Sequence, residues 1–385
     1  MVGRSTSPHP ATSEPSVRTT ATWTRCVLSA SPFRVTVTSA GSGTRGTLQR
    51  VDAGEDLRWT DPEWLTATHE WILEALDREG LTLMGPIEQP HVRPWSTVLR
   101  VPTSAGDHYF KATSPLLAHE PALTQWLAQQ RPDCIAPVLA VDRDRGWMLM
   151  PDGGTTLRSV IQADRDIRHW EAALPIYAQL QIDMATQVDQ LIALGCLDYR
   201  LAGLPARYTA LLEDTQALMI DHPDGLTSAQ YARLQAFAPQ FAAMCARLAA
   251  YGIPETLHHD DFHDGNIFLG ADGLRFFDWG ESCAAQPFCT LVVGQRGIAY
   301  RFELAEDAPE LQRLRDIYLE PWTRYTSRAN LLAACALAKP IGSFCRALTW
   351  HRVVANLESP LREEQQDAVP GWLQLFLDAL TNMVY

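Results

Sequence analysis

The spacing of apolar residues changes character near residue 150. Before it, short runs alternate apolar and polar positions, at about 84–92, 97–101 (TVLRV), 108–112 (HYFKA), 135–141 and 147–150. A period of two predicts strands buried on one face. The turn 104–107 (SAGD) joins the second and third runs as a hairpin, and 142–146 (DRDRG) joins the last two. A helix is predicted at 119–129. Another begins near Asp61, where Asp61 or Thr60 can cap it, Pro62 suits the first turn, and Trp64, Ile72 and Leu76 fall at helical spacing. Beyond Pro151-Asp152-Gly153-Gly154 the period lengthens. Helices are predicted at about 156–165, 169–194, 205–217, 227–251, 310–328, 329–357 and 370–383, interrupted by a strand-turn-strand element between Leu257 and Asp278. The pattern predicts an α+β fold of two lobes, a small β-rich N-lobe over 56–152 and a larger helical C-lobe over 153–385. A cleft between two such lobes is a place where nucleotides and small ligands bind. Residues 1–55, rich in Ser, Thr, Gly, Pro and Arg, read as a disordered arm.

Charge and composition narrow the partners. A net charge of -13 argues against a nucleic-acid partner, which selects a basic face. The same charge suits a cationic ligand, although solubility alone explains it as well. The eight cysteines include no C-x-x-C pair, and Cys134 and Cys335 lie in apolar stretches, so buried thiols in a reducing compartment are expected. No unbroken apolar run approaches the roughly 20 residues of a membrane span, and no signal-peptide core follows the N-terminus. The expectation is a cytoplasmic protein with no membrane partner; the sequence is silent on oligomeric state.

The chemistry is concentrated in two neighbouring segments, HHDDFHDGN at 258–266 and FFDWGE at 276–281. Phosphoryl transfer to an alcohol asks little covalent chemistry of a protein. It needs a carboxylate that orients the hydroxyl and takes its proton, and oxygen ligands for the Mg²⁺ that accompanies the phosphates. Asp261 stands five residues before Asn266, and Asp278 closes the next hairpin, so Asp261 suits the first role and Asn266 and Asp278 the second. His259 is read as a catalytic-loop residue that holds the loop by hydrogen bonds. In the N-lobe, Lys111 ends an apolar strand and Glu120 opens the following helix, the strand-lysine and helix-glutamate pair of the kinase template. Met150, Pro151 and Asp152 fall where an adenine-binding hinge belongs, and the expected phosphate loop is Arg93-Pro94-Trp95-Ser96-Thr97, where the Ser96 and Thr97 hydroxyls and backbone N–H groups can hold phosphate.

These motifs resemble the aminoglycoside phosphotransferase family, a branch of the protein-kinase-like fold, whose pattern reads approximately H-G-D-x-H-x-G-N followed by I-D-W-G. The resemblance covers about residues 85–360. It implies Asp261 as base, Asn266 and Asp278 as Mg²⁺ ligands, Lys111 on the ATP phosphates, and a small-molecule hydroxyl acceptor. Two departures stand out: Asp260 replaces the family's glycine, and the first hairpin has no G-x-G-x-x-G.

Several alternatives stay open at this level. His259 and His263 lie close enough together to suggest zinc, but no third ligand stands at suitable spacing. Ala308-Pro309-Glu310 imitates a protein-kinase motif; Asp307 and Glu310 read better as a capping box around Pro309. A protein kinase is also disfavoured because residue 260 is not the arginine that meets a phosphorylated loop. Glu281, directly after the metal-binding turn, is a candidate for the acceptor site, and acidic and aromatic residues there suit a cationic or sugar-like acceptor. A catalytically silent nucleotide- or partner-binding member of the fold is the remaining reading, and GTP can replace ATP in all of them.

Overall fold

The computed structural model describes residues 58–270, 272–357 and 361–381, so the arm expected at 1–55 lies outside the described residues. Asp61 caps α1 (Pro62–Arg78), its carboxylate accepting from the backbone N–H groups of Glu63 and Trp64. The strands that follow are β1 (Glu88–Arg93), β2 (Ser96–Thr103) and β3 (Gly106–Thr113), then α2 (Glu120–Gln130), β4 (Ala140–Asp142) and β5 (Trp147–Pro151). They form one sheet in the order β1-β2-β3-β5-β4, every pairing antiparallel. In β2, Leu99, Val101 and Thr103 are buried while Val98, Arg100 and Pro102 are partly exposed. That inner face packs against Trp71, Ile72, Ala75 and Leu76 of α1. Trp71, Phe110 and Trp147 meet edge-to-face with ring centroids 5.5–5.8 Å apart. Each such pair contributes about 0.5–1.5 kcal/mol beyond its buried area.

The C-lobe begins with β6 (Thr155–Thr156), α3 (Leu157–Asp164), α4 (Arg168–Met184) and α5 (Val188–Ala193). Next come β7 (Leu197–Asp198), α6 (Leu204–Glu213), α7 (Thr215–Leu218) and α8 (Ser228–Ala249). Then follow β8 (Thr256–His258), β9 (Ile267–Gly270), β10 (Gly273–Phe276) and β11 (Cys283–Ala285). The chain closes with α9 (Leu291–Phe302), α10 (Pro309–Leu319), α11 (Arg328–Ala355), α12 (Leu361–Gln365) and α13 (Ala368–Thr381). Two small sheets, β10-β9-β6 and β7-β11-β8, frame the loops between β8 and β9 and between β10 and β11. The lobes are also joined by backbone. Phe276 N–H donates to Cys134 C=O (2.8 Å), Ala136 N–H donates to Phe276 C=O (3.3 Å), and Ile135 bridges Phe276 in parallel.

Several expectations change on contact with the structure. The first hairpin turns over Ser104-Ala105 alone, because Gly106 takes a positive φ of 103° and pairs with Thr103. The run 135–141 is a strand only from Ala140, since Ile135 is drawn off to β10. The helix foreseen at 169–194 breaks into α4 and α5 through a 3₁₀ turn at Ala185–Gln187, which lets α5 pack on β11. The run 205–217 likewise divides at Asp214, which caps α7, and 310–328 ends as a helix at Leu319 before a 3₁₀ turn. The capping box at Asp307 does not form. Ala308 is the N-cap of α10 and makes no side-chain cap bond. Finally, α11 is long and apolar enough by composition to cross a membrane, against the expectation from unbroken runs. Yet 72% of its most apolar window is buried inside the fold, as in a core helix. The seven described cysteines are free thiols, and all but Cys335 are buried.

Candidate active site

The loop between β8 and β9 is held from below by α4. Tyr177 stacks on Phe262 with centroids 4.0 Å apart, and its hydroxyl accepts from the His259 backbone N–H at 3.1 Å. The His259 ring lies against Trp279 at 4.7 Å, and its Nε2 sits 2.9 Å from the Phe277 carbonyl. A carbonyl only accepts, so the ring hydrogen is on Nε2. Burial pulls the His259 pKa below its usual value, which keeps the ring neutral. His259 therefore ties the loop to the turn that carries Asp278. Two aspartates take left-handed backbone there, Asp260 with φ 60° and Asp278 with φ 66°, a conformation that aspartate tolerates better than most residues.

Asp261 is buried, and both of its oxygens have donors. Its Oδ2 lies 3.3 Å from Asn266 Nδ2 and 3.3 Å from His263 Nε2. Its Oδ1 accepts from Arg346 Nη2 at 2.9 Å. Burial would raise the pKa, but His263 and Arg346 outweigh it and hold the carboxyl far below the usual range. Asn266 Nδ2 also donates to the Asp261 carbonyl at 3.0 Å, so its amide nitrogen faces the loop.

The N-lobe meets this loop through one ammonium group. Lys111 on β3 places Nζ 2.6 Å from Glu120 Oε1 on α2 and 2.6 Å from Asp278 Oδ1. Glu120 is fully buried, and burial raises its pKa to about 7 despite the opposing pull of Lys111. For Lys111 burial works downward, but Asp278 and Glu120 prevail and keep the ammonium protonated. The Asp278 side chain is 44% exposed, the one member of this trio that opens to solvent.

Other predicted residues take different positions. Thr97 is fully buried, its hydroxyl donating to His91 C=O (2.7 Å) and accepting from Gln89 Nε2 (2.9 Å). Ser96 is buried beside it, opposite Thr113. Both hydroxyls had been expected to face phosphate; that of Thr97 is spent inside the sheet. The turn itself, Pro94-Trp95, leans across the cleft, and the Trp95 ring meets Trp350 of α11 edge-on with centroids 6.4 Å apart. Met150 pairs with Tyr109 in the hinge strand. Asp152 is exposed; its backbone N–H donates to Asp107 C=O and its Oδ1 accepts from Gly154 N–H. At Gly153 an added Cβ would fall 2.2 Å from a Phe268 ring carbon, so only glycine fits the bend.

Arg346 was missed in the sequence. It comes from α11 and is 3% exposed, with Nη1 on Glu281 Oε2 and 3.5 Å from Asp260 Oδ2. Glu281 thus joins the site through Arg346, and burial lifts its pKa to about 7, with Asp261 and Asp260 adding to the shift and Arg346 opposing it. Asp260 does not face the cleft opening. It is buried, its Oδ1 3.0 Å from His258 Nε2. One signal was available: Arg346 is a lone charge in the otherwise apolar run IGSFCRALTW, and a charge inside a buried helix face needs a partner. The two histidines once weighed as zinc ligands serve different groups, His259 the Phe277 carbonyl and His263 the Asp261 carboxylate.

The arrangement is a buried carboxylate on one side of a cleft and a lysine bracketed by two carboxylates on the other. Comparisons with known proteins bear on the family and the fold. The family model described as "Phosphotransferase enzyme family" matches residues 88–331, well over half of the chain. Among solved structures, an ethanolamine kinase of Plasmodium vivax is similar over 83% of this chain and 91% of its own, at 11% identity and a TM-score of 0.56. A choline/ethanolamine kinase family protein from Mesorhizobium loti is similar over 82% and 99%, at 15% identity and a TM-score of 0.51. A macrolide 2'-phosphotransferase of type I is similar over 80% and 97%, at 12% identity and a TM-score of 0.50. Identities this low speak for the shared fold. Among curated protein sequences none matches the chain.

Proposed function

Since the chain belongs to the phosphotransferase enzyme family, we propose that it transfers the γ-phosphoryl group of ATP to a hydroxyl of a small molecule. The observation that carries this reading is the joint placement of Lys111, Glu120 and Asp278 within 2.6 Å contacts across the lobes, beside an Asp261 hydrogen-bonded to Asn266. Lys111 neutralises phosphate oxygens and Glu120 keeps it aimed at the cleft. The hinge around Met150 and Asp152 receives the adenine. Asp278, with its exposed carboxylate, and the Oδ1 of Asn266 are oxygen donors suited to Mg²⁺, and they would hold it. When bound, the ion supplies charge neutralisation on the phosphates. Asp261 orients the acceptor hydroxyl and receives its proton as the new P–O bond forms and the bond from the γ-phosphorus to the bridging oxygen breaks, with ADP as the leaving group. In a loose transition state most of the work is positioning, so a strongly acidic Asp261 is adequate as the proton acceptor.

The acceptor is a small alcohol, and the carboxylates Asp261 and Glu281, the less enclosed members of the Arg346 cluster, favour a cationic or sugar-like one. A second reading, a nucleotide-binding member without turnover, draws on one observation: both oxygens of Asp261 already have donors. Thermal unfolding with and without Mg²⁺·ATP, for the wild type and Asp278→Ala, tests the nucleotide site. Ligand at about 100 times its Kd stabilises by about 2.7 kcal/mol. The expected result is a Mg²⁺-dependent rise in Tm that Asp278→Ala loses. No rise with ATP or GTP removes the ground for a kinase. ADP release across a panel of amino and sugar alcohols then separates turnover from silent binding.

A further inference from the structure

We propose that Arg346 is a positioning residue for phosphoryl transfer: it spans the catalytic loop and the metal-binding turn, and so sets where Asp261 stands relative to Asp278. The inference rests on the reading of Asp261 as the catalytic carboxylate. Its basis is the fork of the guanidinium. Nη2 holds Asp261 Oδ1 at 2.9 Å, on the β8–β9 loop, while Nη1 holds Glu281 on the turn three residues past Asp278. Both loops run between the same two small sheets, β10-β9-β6 and β7-β11-β8, and His259 already ties one to the other through the Phe277 carbonyl; Arg346 adds a link from a third element, α11, that joins their carboxylates directly. A planar group with donors at fixed angles can register two carboxylates in a way a lysine cannot.

The mounting is rigid. Arg346 lies within the 28-residue α11 and is flanked by buried Cys345, Ala347 and Leu348. Its Cζ lies 5.7 Å from the Trp350 ring centre, and Trp350 in turn meets Trp95 of the N-lobe turn. The titratable groups around it are Asp260 and His258, His263 beside Asp261, and Glu281. A simpler role would be to balance this buried negative charge and nothing more. The two roles differ in a testable way, because charge balance is indifferent to which loop each carboxylate belongs to.

The test compares wild type, Asp261→Asn, Arg346→Gln, Arg346→Lys and the double variant Arg346→Gln/Glu281→Gln. ADP release from Mg²⁺·ATP is followed with water as the acceptor, alongside ATP Kd and Tm. The double variant removes one positive and one negative charge, so it restores the local balance and keeps the fold measurable if Arg346→Gln alone fails to fold. A positioning role predicts that kcat falls about 100-fold in the double variant while Tm recovers and ATP Kd stays within about twofold. Arg346→Lys, with a single point of attachment, should regain only part of the loss. If the double variant recovers kcat together with Tm, or if Arg346→Gln matches the wild type, the positioning role is wrong while the function reading stands. If wild type and Asp261→Asn release ADP at the same rate, Asp261 is not the catalytic carboxylate and both fall together.

Discussion

Two buried cations organise the two sides of the cleft, and their surroundings differ. Lys111 stands between two carboxylates, one buried and one 44% exposed. Arg346 stands among three, of which Asp260 is 1% exposed, Asp261 12% and Glu281 21%. Both sides carry excess negative charge. On the lysine side the excess opens to solvent at Asp278, where a mobile cation can enter and leave. On the arginine side it is enclosed; burial opposes a charge on His263, but Asp261 outweighs it and raises the pKa, so that ring partly offsets the excess. A lysine, a single point charge on a flexible stem, suits a contact that must re-form on each nucleotide; an arginine, with its fixed fork, suits one that stays. The lesson is that one net charge serves two purposes, and the degree of enclosure decides which.

The comparison can be broken most forcefully at Asp261. Asp261→Asn keeps the shape and removes the proposed proton acceptor, so kcat should fall about 10³-fold with ATP affinity retained; a steady-state assay with calorimetric titration of ATP reads both. Next in size is Lys111→Met. It leaves Glu120 buried without its partner, a loss of roughly 3 kcal/mol of unfolding free energy, read as a lower denaturant midpoint, together with loss of turnover. An unchanged midpoint would show that the lysine side contributes nothing to the fold.

Acidity sharpens the contrast at Glu281, whose pKa lies at about 7 against a usual 4.5. A carboxyl raised on folding contributes stability that is fully present below its unfolded pKa and is lost as pH climbs through the folded value. Glu281→Gln removes that loss. The variant should match the wild type near pH 4.5 and exceed it by about 1–3 kcal/mol at about pH 8. Urea titrations at several pH values decide it, and lower stability at the alkaline end would mean that the Arg346 pair outweighs burial. Smallest is Trp95→Ala, which deletes one edge-to-face contact worth about 0.5–1.5 kcal/mol. It should raise the KM for ATP a few-fold and leave kcat nearly unchanged.

What the sequence disclosed follows the reach of each contact. The meeting of Asp261 with Asn266 was legible because one loop sets their spacing, and that of Lys111 with Glu120 because strand and helix adjoin. The two-lobe α+β architecture was legible from the change of period at 150. Arg346 was not, since 85 residues of sequence separate it from Asp261 and helical periodicity alone describes it as core. Thr97 misled for the reverse reason: its position in the chain suits phosphate, but the inward face of an alternating strand claims its hydroxyl. The split of 169–194 was invisible because the 3₁₀ turn answers to the packing of α5 on β11, not to a local breaker such as glycine.

The backbone stitches between β10 and the segment around Cys134 and Ala136 have a mechanical meaning. By position in the chain β10 is C-lobe, yet it is fastened to the N-lobe two residues before Asp278. Any rocking of one lobe on the other therefore has its fulcrum there. A point close to a fulcrum travels little, so the gap between Lys111 and Asp278 changes least. The Trp95 tip, away from that stitch in the chain and set against Trp350 of α11, marks the facing rim, and it is there that opening of the cleft is to be measured.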